Sequence, residues 1–380
     1  MDVTMPAAPT VKAIPAERTR LLPVDWLRGL VMVLMTVDHA SGAFNAGRLF
    51  GDSTLFYRTG TPLPPDQFFT RWMTHLCAPT FVFLAGFVLL LSVERRRGRG
   101  ESEGSITRFI VTRGLLIAAL DPVWMVWVFG SPSQPVLQVL YAIGMSFVAL
   151  AFLRRLPPLL LGGIGLLLCV VDEPLAASLT HSGPVVGALL RLLLIPGGVG
   201  PFLVGYPLIP WLAIMLLGWA AADIARREPE HFRRWLVLAG LAALVVFAVV
   251  RGLNGFGNSA LLREDGSIVQ WLHTSKYPPS LAYTACELGL AWLLLAAFSS
   301  ATIPRWAASI LTPLGQNAFF FYLLHVHLLE GAAVLLGLHH KAGLGATYLS
   351  AAMVIAVLLP ACRAYGRYKR SHPDSWAQYI

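Results

Sequence analysis

Apolar residues in this chain fall into long runs, and polar residues gather in short segments between them. The runs predict ten helices: Leu22–Phe44, Trp72–Val93, Arg108–Phe129, Val136–Leu153, Pro158–Val171, Pro201–Ile224, Trp235–Leu253, Ser280–Ser299, Ile310–Leu336 and Leu344–Leu359. Many are near the length that crosses a hydrocarbon layer of about 30 Å. With no water there to satisfy a bare backbone, each run should be helical. The period-2 alternation of a membrane barrel is absent. Pro184–Ile195 is apolar but short and carries Arg191, so it reads as an interfacial or re-entrant helix. The expected fold is all-α: a polytopic membrane protein with about ten transmembrane helices in one bundle. That bundle occupies residues 21–363, between a polar tail at 1–20 and a basic tail at 364–380.

Composition agrees. Hydrophobic residues make up 56% and charged residues 13%, and mean hydropathy is +0.65. A soluble domain of this length needs more polar surface to cover its core. The net charge of +9 would suggest nucleic acid in a soluble protein, but here the bases sit in loops. Arg95, Arg96, Arg97 and Arg99 follow the second run, Arg154 and Arg155 the fourth, and Arg226, Arg227, Arg233 and Arg234 the sixth. Arg305 follows the eighth, and Arg363, Arg367, Lys369 and Arg370 the tenth. Every even-numbered exit is basic, as is the start of the chain. This is the pattern of a protein with both termini in the cytoplasm, and a bacterial inner membrane is the expected location. The first 20 residues lack an apolar stretch with a cleavage site and read as a disordered cytoplasmic tail. Cys77, Cys169, Cys286 and Cys362 are scattered, with neither a metal-type spacing nor a disulfide framework.

Ionisable side chains inside a membrane cost several kcal/mol unless paired or hydrated, so each is a functional candidate. The first run carries Asp25, Arg28, Asp38 and His39. Arg28 and His39 lie 11 residues apart, which returns to within about 20° of the same helix face at a rise of about 16 Å. Asp25 sits one turn before Arg28 and can pair with it. The second run starts behind Thr70-Arg71 and carries Thr74-His75, the third holds Asp121, the eighth follows Lys276-Tyr277 and holds Glu287, and the ninth carries Asn317 and His325. Placed by the topology, most of these groups converge on the outer half of the bundle, as expected for a polar cavity open to the outside. His325 and His327 are about 200° apart on a helix and cannot face one ion together, so no metal is expected. An imidazole beside a carboxylate suits a general base. It equally suits a proton relay in a transporter.

The first helix, Asp25-Trp26-Leu27-Arg28-Gly29 then Leu34-Met35-Thr36-Val37-Asp38-His39, resembles that of the heparan-α-glucosaminide N-acetyltransferase-like proteins. More narrowly it is similar to their bacterial DUF1624-type branch. The stretch Thr70–Gly86, Tyr206-Pro207-Leu208-Ile209-Pro210-Trp211 and Lys276-Tyr277-Pro278-Pro279-Ser280-Leu281 carry the same likeness. The resemblance implies a transmembrane acyltransferase that moves an acyl group, acetyl foremost, from cytoplasmic acyl-CoA to a hydroxyl or amine of a glycan or similar acceptor outside. In that wider set an Arg, ten residues and a His mark the first helix, and Arg28 and His39 match that spacing. His39 is then the catalytic candidate, with Asp38 beside it and His75 as the other imidazole. Arg28, Arg108 and Arg113 would hold the anionic donor. Asp121, Lys276, Tyr277, Glu287, Asn317 and His325 would face the acceptor, with Asn317 or Tyr277 able to stabilise an oxyanion. The heparan enzymes keep their catalytic His in the loop after the first helix, whereas Ser41–Gln67 here contains none. Either His39 or His75 takes the role, or the chemistry differs. The competing reading is a proton-coupled transporter or export permease using the same groups as a relay. Expected partners are the bilayer, acyl-CoA, the acceptor and a second copy in a homodimer, without nucleic acid.

Overall fold

A computed structural model describes residues 22–179, 183–372 and 375. The expected tail at 1–20 lies outside the described residues. Fifteen α-helices carry the fold in those residues. In chain order they are α1 (Leu22–Phe44), α2 (Pro65–Trp72), α3 (Cys77–Gly98), α4 (Glu103–Leu120), α5 (Val126–Phe129), α6 (Val139–Leu153), α7 (Pro158–Leu179) and α8 (Pro184–Leu193). They continue as α9 (Leu208–Arg227), α10 (Pro229–Leu253), α11 (Ile268–Leu272), α12 (Leu281–Ser300), α13 (Arg305–Gln316), α14 (Ala318–Leu335) and α15 (Leu344–Ser371). A π-helical turn, Asp121–Met125, joins α4 to α5. The only strands among the described residues are β1 (Val136–Leu137), β2 (Gly197–Val199) and β3 (Phe202–Val204). They form a small sheet in the order β1-β3-β2, with β1 parallel and β2 antiparallel to β3.

Eight helices among the described residues are long and apolar enough to cross a membrane: Pro65–Gly98, Glu103–Phe129, Pro158–Leu179, Leu208–Arg227, Pro229–Leu253, Leu281–Ser300, Ala318–Leu335 and Leu344–Ser371. The protein is an all-α polytopic membrane protein. Two further helices stand where the sequence pattern puts spans. One is α1, diluted by Asp25, Arg28 and Asp38, and the other is α6, apolar but only 15 residues long. The expected interfacial segment is the ten-residue α8. Boundaries moved most at three places. The fifth run continues through Pro174 to Leu179, and the tenth continues through Pro360 to Ser371. The ninth is broken at Asn317, whose backbone leaves the helical region one turn after Pro313 of α13.

Neighbouring helices pack as α3 along α9, α4 along α6, α7 along α9 and α10 along α12, while α1 is clasped by α13, α14 and α15. Glycine allows the closest of these crossings. A Cβ on Gly315 would collide with the Asp25 carbonyl, and one on Gly29 with the Leu311 carbonyl. The contact is reciprocal, so α1 and α13 touch backbone to backbone, a packing mode that serves helices inside lipid. Gly86 of α3 and Gly218 of α9 repeat it. The bundle thus has two distinct ends. The arginine end gathers the starts of α1, α4 and α13 and the exits of α3, α9 and α15. The loop end carries residues 45–64 and 254–280 together with the small sheet.

Candidate active site

The polar groups of α1 meet those of the second and ninth spans near the loop end. His39 and His325 stack with ring centroids 4.9 Å apart, and His39 Nδ1 lies 2.8 Å from His325 Nε2. The other side of His325 fixes the proton pattern. Its Nδ1 faces the carbonyl oxygens of Tyr322 at 2.9 Å and Phe321 at 3.1 Å, one turn earlier on α14. Only an N–H belongs there. In the neutral ring Nε2 is then bare and accepts from His39 Nδ1–H. The neutral His39 ring is left with a free lone pair on Nε2, which has no hydrogen-bond partner among the described residues. Phe129 and Tyr322 flank the His39 ring at centroid distances of 5.3 and 6.3 Å.

Asp38 does not hold its neighbour in the chain. Its Oδ1 accepts from Arg71 Nη1 at 2.5 Å and Arg48 Nη2 at 2.9 Å, and the Thr74 hydroxyl lies 3.1 Å away. Arg48 Nη1 also donates to the Asp38 carbonyl. The group that hydrogen-bonds His39 is His325, where the sequence suggested Asp38 or Glu287. Arg71 reaches further: its Nε donates to Asp52 Oδ2 at 2.7 Å and its Nη2 binds the same oxygen. One guanidinium thus bridges two carboxylates, as its rigid fork of donors permits. Asp52 lies in the loop after α1. Burial alone would raise its pKa, but Arg71 and His75 hold the carboxyl well below the usual range.

His75 lies in the short turn between α2 and α3, 1% exposed. Its Nε2 is 3.2 Å from Asp52 Oδ1, at an angle that makes no hydrogen bond, and neither ring nitrogen has a hydrogen-bond partner among the described residues. Its carbonyl accepts from the Tyr283 hydroxyl at 3.0 Å. Lys276 enters from the loop before α12. Its backbone N–H donates to the Asp52 carbonyl at 2.8 Å, and its Nζ lies 5.3 Å from the centre of the Tyr277 ring. The ammonium makes no ion pair or hydrogen bond among the described residues, yet its charge acts on Asp38, His39, His75 and Glu287 alike. Glu287 is 1% exposed and leaves Oε1 without a hydrogen-bond partner. Tyr277 packs edge-on against Tyr206.

Two expected acceptor residues stand elsewhere. Asp121 Oδ2 accepts from the backbone N–H groups of Gln138 and Tyr141, each at 2.7 Å. It caps the start of α6, and no charge of the His39 cluster acts on it. Asn317 donates to the carbonyls of Pro313 and Cys362 at 3.0 and 3.1 Å. It staples the α13–α14 break to α15, about 12 Å along the helix axis from His325. These bonds fix a helix start and a helix break, while Asp121 Oδ1 is left without a hydrogen-bond partner among the described residues.

A cleft runs from the arginine end towards this cluster, between α1, α3, α4, α6 and α14. Arg28 and Arg113 stand among its lining residues, as do Met35 and Tyr322, and the rest of the wall is apolar. It holds about 820 Å³ of empty space, open solvent at its mouth included. Arg28 pairs loosely with Asp25 at 3.9 Å. Arg113 has Phe147 beneath its guanidinium, and its Nε has no hydrogen-bond partner among the described residues. Arg108 is exposed on a different face of α4 and does not line the cleft, so it is not grouped with the other two. Lys369 of α15, unremarked in sequence as a site residue, instead feels the charges of Arg113 and Arg28.

Fold and site together define a multi-pass membrane protein with an imidazole pair beyond one end of an apolar cleft and arginines at the other. The model of the family "Heparan-alpha-glucosaminide N-acetyltransferase, catalytic" matches residues 20–254, more than half of the chain, and the protein belongs to that family of membrane acetyltransferases. No match is found among curated proteins. The matched stretch holds Arg28, Asp38, His39, Arg71, His75 and Arg113, while Lys276, Glu287 and His325 lie beyond it.

Proposed function

We propose that the protein takes an acyl group, acetyl foremost, from cytoplasmic acyl-CoA at the arginine end and transfers it to a hydroxyl or amine of a glycan or similar acceptor arriving at the loop end. The observation that carries this reading is the cleft, with Arg28 and Arg113 at one end and Tyr322, a neighbour of His39, in its wall. The spacing from Arg28 to His39 suits the donor. From phosphorus to sulfur a phosphopantetheine arm has 13 bonds, roughly 15 Å when extended at the spacing of a peptide chain. Arg28 and His39 are separated by about 16 Å of helix rise. Phosphates on Arg28 and Arg113 would put the thioester beside the imidazole. The basic even-numbered exits favour a cytoplasmic arginine end and cytoplasmic termini, in a bacterial inner membrane.

In this reading the bare Nε2 of His39 removes the acceptor proton as the acceptor oxygen or nitrogen attacks the thioester carbonyl. The tetrahedral intermediate collapses by breaking the C–S bond, and the CoA thiolate takes the proton back from the imidazolium. Lys276, the uncommitted cation of the cluster, is the group best suited to the developing oxyanion. His75, through Nδ1, and Glu287, through Oε1, which have no hydrogen-bond partner among the described residues, would bind the acceptor's polar groups.

The test is purified protein in nanodiscs with radiolabelled acetyl-CoA and a panel of amino sugars and glycans, read as free CoA and labelled acceptor. The expected result is acceptor-dependent turnover that falls about 10²–10⁴-fold in His39→Ala. Unchanged turnover in that variant would remove His39 from the chemistry. Absence of any CoA-dependent activity, with proton-coupled solute flux in liposomes, would replace the enzyme by a transporter.

A further inference from the structure

We infer that His325 is the positioning residue of this site: it holds the His39 ring in place and fixes the tautomer whose Nε2 is bare. The inference rests on the acyl-transfer reading for its kinetic consequence, but not for its geometry. His325 is fully buried and its own orientation is determined twice, by the two backbone carbonyls at Nδ1 and by stacking on Phe321 at a centroid distance of 5.0 Å. A ring anchored in that way presents a fixed acceptor to His39 Nδ1. Many hydrolytic sites assign that role to a carboxylate, which also stabilises the imidazolium as it forms. Here the nearest carboxylate, Asp38, is occupied by Arg48, Arg71 and Thr74, and a neutral imidazole takes its place. Such an arrangement orients the base without placing a further negative charge beside it. It also puts the orienting group on α14, outside the stretch that matches the family.

Two variants separate orientation from packing. His325→Phe keeps an aromatic ring over Phe321 but offers His39 no acceptor, whereas His325→Gln offers an amide oxygen. In the acetyl-transfer assay, His325→Phe should lower kcat by about 10²-fold with the KM for acetyl-CoA within about twofold, and His325→Gln should recover at least about tenfold of the loss. The double variant His39→Ala/His325→Phe should be no slower than His39→Ala alone, because residues that act as a unit do not add. A His325→Phe kcat within about threefold of wild type, or a full additional loss in the double variant, would overturn the inference. A second measurement does not use turnover. Nitrogen-15 NMR of histidine-labelled protein, with the His39 signals assigned by their loss in His39→Ala, should show a protonated Nδ1 and a bare Nε2. That pattern should change in His325→Phe. The opposite tautomer in wild type, or an unchanged His39 pattern in His325→Phe, refutes the positioning role. If wild type shows no turnover, the acyl-transfer reading fails while the NMR result still decides the pairing.

Discussion

Replacing Arg71 by Ala should destabilise the protein more than any other single charge removal in the cluster. Arg71 is 9% exposed and neutralises two carboxylates at once. The two do not suffer equally. Asp38 keeps Arg48 at 2.9 Å and the Thr74 hydroxyl at 3.1 Å. Among the described residues Asp52 keeps only the His75 side chain as an ion-pair partner, at 3.2 Å and poorly aligned. The orphan is therefore Asp52. At about 4 Å and an effective dielectric of about 20, its attraction to Arg71 is worth about 4 kcal/mol. Loss of one partner from a buried pair costs about 3–5 kcal/mol for the same reason. The assay is thermal unfolding in nanodiscs at a fixed scan rate, since membrane proteins often unfold irreversibly. Arg71→Ala should melt well below wild type. Adding Asp52→Asn should then raise the melting temperature of the Arg71→Ala protein, because it removes the stranded charge. If the two substitutions add instead, Asp52 was not the group left uncompensated, and the bridging role assigned to Arg71 is wrong.

Other outcomes follow from the same geometry. Asp52→Asn alone should destabilise at neutral pH, and its deficit against wild type should shrink as pH falls below about 4. The depressed native pKa means the carboxylate's contribution is complete above the unfolded value and lost as pH falls towards the native one; a pH series of melting curves reads this out. Gly315→Val should separate α1 from α13 by forcing a side chain against the Asp25 carbonyl, with loss of folded protein in size-exclusion profiles, whereas Gly331→Val, where a Cβ meets open space, should be tolerated. Arg28→Ala and Arg113→Ala should each raise the KM for acetyl-CoA with little change in kcat, since a phosphate contact is made alike in ground and transition states. Arg108→Ala should leave both constants unchanged, and steady-state kinetics on the three variants tests the set. Reporter fusions after Arg99, Arg227 and Arg370 should read cytoplasmic and one after Asn258 outside, and an outside signal at Arg227 would overturn the topology.

The bundle was legible in the sequence because burial in lipid demands long uninterrupted apolar runs, and those are visible without coordinates. The same logic exposed His39, Glu287 and His325, which are expensive inside a run and therefore conspicuous. It failed for Arg48 and Asp52. Both lie in a loop, where a charge costs nothing in water, and only the three-dimensional path shows the loop folded back onto α1. Arg71 was visible at the start of its run but carried no sign of its two partners. It says less about Asp121 and Asn317, whose hydrogen bonds run to backbone groups. A buried polar side chain signals that something must satisfy it, but not whether that partner is a substrate or a backbone amide. The π-turn that aims Asp121 at the start of α6 has no mark in the sequence beyond the Asp-Pro pair. The choice of His325 over Asp38 as the neighbour of His39 depends on where Arg48 and Arg71 end up, which chain-local spacing cannot express.

The hydrogen bond between His39 and His325 joins residues 286 positions apart, whereas Arg71 follows Asp38 by 33. At a synthesis rate of about 5–20 residues per second, the carboxylate of the first helix meets its arginine within roughly 2–7 s. The imidazole waits roughly 14–57 s for its partner. The nascent chain therefore neutralises its costliest charge early and locally, and the proton-accepting geometry is the last part of the centre to be built.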